Sequence, residues 1–82
     1  MERGVVVELN NRRGMIAIQL DDGSFTIVEN LSSWSPEIGE RVLGDLRSLG
    51  GCDLVRGNGG SASVFVQDFD CARALVRTRL LY

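Results

Sequence analysis

Two tight turns, "NNRRG" at Asn10–Gly14 and "DDGS" at Asp21–Ser24, enclose the six residues "MIAIQL". This constrains the fold more than any other feature. Asp-Gly is among the strongest short hairpin signals, because the turn that matches strand twist needs positive φ at its central residues. A run of this length suits a strand; a helix needs about 10–12 residues. Alternation within it puts Ile16, Ile18 and Leu20 on one face and Met15, Ala17 and Gln19 on the other. The flanking runs Val5–Leu9 and Phe25–Glu29 are β-branched and apolar. The three together predict an antiparallel meander.

"NLSSWSPEIGE" interrupts the pattern, since Pro36 cannot donate to a ladder, and it reads as a crossover. "ERVLGDL" predicts a fourth strand, with Gly44 marking a bulge or bend. Shorter strands follow at "CDLVR" and "ASVFVQ", joined by the turn "GNGGS", with Val64 and Val66 opposing Phe65. From Asp68 the period changes. Phe69, Ala72, Leu75, Val76 and Leu80 recur at helical spacing, Asp68 or Asp70 is placed to cap, and Arg73, Arg77 and Arg79 lie toward the C-terminal end. The expected fold class is all-β with one added helix: a small five- to six-stranded antiparallel barrel of OB type, plus a C-terminal α-helix. It reads as a single domain over residues 1–82, with strands across about 4–67 and the helix across about 69–80. An SH3-like barrel is the alternative; the crossover favours the OB type.

The run from Gly4 to Ser24 resembles the first two strands of a cold-shock domain, whose pattern is G-x-V-K-W-F-N-x-x-K-G-F/Y-G-F-I followed by D-D-G. The residues here are "GVVVELNNRRGMIAI" and then "QLDDGS". Gly4, Val6, Asn10, Gly14 and Ile18 fall in register, and Arg13 replaces a Lys. Farther on, "LSS", "IGERV" and "GGSASVFV" are looser echoes of the same family. The resemblance implies the OB scaffold. The family's aromatic surface, which stacks bases of RNA and single-stranded DNA, is absent. Glu8 stands at the Trp position, Met15 and Ala17 at two aromatic positions, and Val28 and Asn30 where the family has Phe and His. Each lost platform is worth about 1–3 kcal/mol of stacking, and Glu8 repels phosphate.

Composition agrees with that loss. Nine basic residues against 11 acidic ones give a net charge of −2, whereas strong nucleic-acid binders carry a basic excess. All nine are Arg, read as a compositional bias of the source genome rather than a choice of bidentate chemistry. The absence of His removes the commonest general base and metal ligand. Cys52 and Cys71 form no C-x-x-C pair; a disulfide between them is open to the sequence but not required, and two free thiols are the simpler expectation, Cys71 with a pKa lowered by a helix N-terminus. Asp21–Asp22 and Asp68–Asp70 read as a turn and a cap rather than metal ligands, and "GNGG" lacks the Lys of a phosphate loop. No nucleophile, base and oxyanion site assembles, so no enzyme, cofactor or metal is expected. "MERGVVVELNN" is too weakly apolar for a leader or a span, so a cytoplasmic chain without a membrane partner is expected.

Two binding readings follow. In the first, Val7, Met15, Val28 and Trp34 form an apolar interaction surface for a protein partner or a second copy. Trp34 serves equally well as an interface anchor or as a cover for the barrel bottom. The helix, through Phe69, Leu75 and Val76, could instead cover the platform and make it core. In the second reading, Arg12, Arg13, Met15, Ala17 and Asn30 retain weak single-stranded nucleic-acid binding, helped by Arg41 and Arg47 if these gather on one side.

Overall fold

A computed structural model describes residues 1–80. Six strands, β1 (Glu2–Asn10), β2 (Met15–Leu20), β3 (Phe25–Asn30), β4 (Arg41–Gly44), β5 (Gly50–Arg56) and β6 (Ser61–Cys71), precede one helix, α1 (Arg73–Leu80). All pairings are antiparallel, and the sheet closes in the order β1-β2-β3-β6-β5-β4. Two three-stranded meanders are thus joined by the 31–40 segment, which carries the chain across so that β4 pairs with β1 and β6 with β3. The protein is a mostly β, closed six-stranded antiparallel barrel with a single C-terminal helix, as the turn spacing predicts. Closure leaves few unpaired strand edges.

The alternation in β2 is realised on both sides. Ile16, Ile18 and Leu20 point into the barrel with Val6, Val28, Leu54, Val64 and Val66. Met15 and Ala17 point outward, yet they are buried too, because α1 lies over them with Val76 and Leu80. Thr26 is the one buried polar residue among those described. Its Oγ1 donates to the Leu46 carbonyl at 2.9 Å and so satisfies both groups. Gly44 ends β4 at a close approach: a Cβ there would lie 2.6 Å from Leu54 Cδ2. The register irregularities lie elsewhere, at Val6/Glu8 of β1 and at Phe25–Val28 of β3.

The C-terminal boundary differs from the sequence expectation. The strand runs on to Cys71, and the helix begins at Arg73 rather than near residue 69. Strand pairing continues to Cys71 opposite Phe25, although Phe69 packs on the barrel core and Cys71 under α1, on opposite faces only two residues apart. Asp70 turns the chain with φ 55. Neither aspartate caps the helix, whose first turn has no acidic residue. Asp70 instead accepts from Arg47 at 2.9 Å, and Asp68 from Arg79 at 3.1 Å. Leu75 does not fill the platform; it is 46% exposed.

Candidate interaction surfaces

The first sequence-derived surface is dismantled by α1. The helix crosses the outer face of β2 and β3, where Met15, Ala17, Phe25 and Ile27 form its seat, and Val7 packs at the margin. Asn10 Nδ2 donates to the Leu80 carbonyl at 2.8 Å, satisfying a helix-terminal acceptor. Arg77 pairs with Glu8 at 3.4 Å, and the Arg73 guanidinium sits 5.1 Å from the centre of the Phe25 ring. Val28 does not belong to any surface: it faces the barrel interior with no exposure, because an even position of β3 alternates inward. Trp34 is likewise no free anchor. It plugs the barrel within the core cluster, its Nε1 donates to Glu40 at 3.3 Å, and Arg56 lies 5.9 Å over its ring.

The nucleic-acid set fares no better as a unit. Met15 and Ala17 are covered. The Asn30 side chain is engaged locally, donating to the Trp34 carbonyl at 2.6 Å and accepting from Ser32. Arg12 and Arg13 are exposed on the β1–β2 turn. Arg41 is exposed on β4, and Arg47 sits at the opposite end of the barrel, bound to Asp22 and Asp70. The four arginines therefore do not gather. Arg3, Arg47, Arg56, Arg77 and Arg79 each pair with a carboxylate. Among the described residues, Arg12, Arg13, Arg41 and Arg73 make no ion pair.

Two surfaces stand out on the barrel wall that α1 leaves bare. On the first, Phe65 projects from β6 and is 41% exposed. Its cross-strand neighbours are Glu29 of β3 and Gly51 of β5, and Gly51 shields nothing. Asp53 stands opposite Ser63 and accepts its hydroxyl at 3.1 Å, while Gln67 donates to Glu29 at 3.2 Å. Exposed Leu31 extends the apolar area at the barrel end, held by its N–H to the Ser63 carbonyl. The rim carries the carboxylates of Glu29 and Asp53. The second surface is a groove of about 510 Å³ over β1, β4 and the end of β5. Val5, Leu43 and Val55 form its apolar floor; Arg3 and Arg41 flank it, Arg3 already paired with Asp21. Alternation in "SVFV" already set Phe65 against Val64 and Val66. Its exposure depends on where the helix lies, which periodicity does not report.

The chemistry elsewhere is quiet. Burial pushes the Cys71 thiol up to about 11, with Asp68 adding to the rise, opposite to the lowering expected at a helix N-terminus; α1 begins beyond it and burial dominates. Burial raises the Cys52 thiol as well. Among the described residues no group of three or more His, Cys, Asp or Glu could hold a metal ion, and no helix is long and apolar enough to cross a membrane. Comparison with protein-family models, with curated proteins and with solved structures finds no match.

Proposed function

We propose that this chain is a non-enzymatic, cold-shock-like binding module whose ligand is a protein surface, engaged by the exposed wall of β3, β6 and β5. The observation that carries the reading is Phe65, a large aromatic left open in the middle of a sheet face with Gly51 beside it. An exposed apolar patch inside a polar rim is characteristic of protein contacts, and aromatic residues dominate their energetics. The covered seat of α1 and the scattering of Arg12, Arg13, Arg41 and Arg47 over the barrel weigh against nucleic acid.

Two measurements test this. Panning a random peptide library on the chain should enrich peptides that bind it but not its Phe65→Ser variant. A mixed-sequence single-stranded oligonucleotide, titrated at low salt, should leave the amide shifts unmoved at millimolar concentration. Shifts clustered on Arg12–Ile18 and Thr26–Asn30 that vanish as salt rises would overturn the reading in favour of nucleic acid.

A further inference from the structure

We infer that the partner of the Phe65 face is the Arg3/Arg41 groove of a second copy of the same chain, in a head-to-tail contact; this rests on the protein-binding reading above. The argument is charge complementarity between two patches on one molecule. The Phe65 face carries Glu29 and Asp53 at its rim, so two such faces brought together would oppose carboxylate to carboxylate. Like charges across an interface are strongly disfavoured, which excludes a symmetric Phe65-to-Phe65 dimer. The groove offers the opposite rim and a floor of Val5, Leu43 and Val55, the last 44% exposed. Arg41 is exposed there and makes no ion pair among the described residues, so its guanidinium is available to Glu29 or Asp53 of a neighbour. Phe65 supplies the apolar anchor that the floor lacks. Knob and groove are different patches of one barrel, and a head-to-tail contact between them is heterologous. It adds chains one after another unless its rotation closes a ring.

The geometry supplies two gentle blocking variants. A Cβ at Gly51 meets nothing within 4 Å, and its φ is not in the left-handed region, so Gly51→Arg sets a positive charge beside Phe65 without straining the barrel. Arg41→Glu reverses the charge of that side chain at the exposed groove. Sedimentation of the unaltered chain over a concentration series should give a mass that rises beyond two chains and falls as salt screens the contact. Each variant alone should weaken association by about tenfold or more. Mixed together, they restore one intact contact, the Phe65 face of the Arg41→Glu chain against the groove of the Gly51→Arg chain. The mixture should therefore associate where neither variant does alone, through that contact and through the Gly51→Arg face against the Arg41→Glu groove, whose new charges attract. Phe65→Ser replaces Gly51→Arg should the latter fail to give a folded amide spectrum. A chain monomeric at millimolar concentration overturns the inference, as does a dimer indifferent to Arg41→Glu or a mixture that stays monomeric. A monomeric chain that still selects Phe65-dependent peptides sinks the inference alone; oligonucleotide binding at the β2–β3 face sinks the protein-binding reading with it.

Discussion

Alanine at Gly4 and alanine at Gly51 should move stability in opposite directions, although both glycines lie in strands of the same barrel. Gly4 pairs with Leu20 on one side and Val42 on the other. A Cβ there would lie 2.5 Å from Ile18 Cγ2 and 3.0 Å from the Gln19 carbonyl oxygen. Ile18 is fully buried and β-branched, so it has no alternative rotamer to retreat into. Relief requires β1 and β2 to separate. Overpacking of this kind costs about 1–3 kcal/mol, and each kcal/mol lowers Tm by about 4–8 °C in a domain of this size. Gly51 has open space instead, so its alanine variant should gain about 0.4–1 kcal/mol from the reduced entropy of the unfolded chain. Thermal unfolding followed by circular dichroism reads both. A Gly4→Ala protein that melts at or above the temperature of Gly51→Ala would refute the packing argument.

Thr26→Val keeps the shape but leaves the Leu46 carbonyl without its hydroxyl donor; a loss of about 1–3 kcal/mol is expected in urea unfolding, and an unchanged midpoint would show that another donor reaches that carbonyl. At Glu40 burial alone would raise the carboxyl, but Arg56, the Glu37 N–H and the Trp34 indole outweigh it and hold it below 4.5. Its contribution to stability is therefore present above that value and lost as pH falls through the lower folded-state pKa. Glu40→Gln should accordingly flatten the acid limb of the stability profile, and an acid limb as steep as the parent's would count against the assignment. Cys71, raised to about 11, should be almost entirely thiol at pH 8, with roughly a thousandth as thiolate. Labelling by a disulfide reagent should be slow in the native chain and fast in urea; equal rates would contradict its burial.

The hairpin turns and the period-two runs were sufficient to place β1, β2 and β3, because alternation and Asp-Gly chemistry act locally. The start of the helix was not legible, and the reason is a change of phase. Val66 and Phe69 both pack on the barrel core, three residues apart, because β6 slips in register against β3 between Phe25 and Val28. An irregularity in a strand therefore imitates the three-residue step of a helix and merges with the true helical spacing from Ala72 onward. Val28 differs for a related reason: the family pattern sets it on the surface, whereas its own alternation with Ile27 turns it inward. The Phe65 face was hidden differently: its pattern was readable, but which outer faces stay bare depends on a long-range docking event.

That docking gives the departures from the cold-shock pattern a physical counterpart. At each position where a cold-shock domain carries a stacking residue, this chain has a side chain with a structural engagement of its own. Met15 and Ala17, small or pliable where the family is flat and wide, let Val76 and Leu80 of α1 approach the sheet closely. Glu8, unfavourable beside phosphate, is paired by Arg77 from the same helix. Asn30 fixes the loop that carries Trp34, and Val28 belongs to the barrel interior. A strand face can stack bases or seat a helix, but the two uses need opposite surfaces: open rings for one, short side chains for the other. On the cold-shock-like reading proposed above, the seat of α1 stands where a stacking platform would be, and the proposed binding surface lies where the helix does not reach, on the wall that Phe65 occupies.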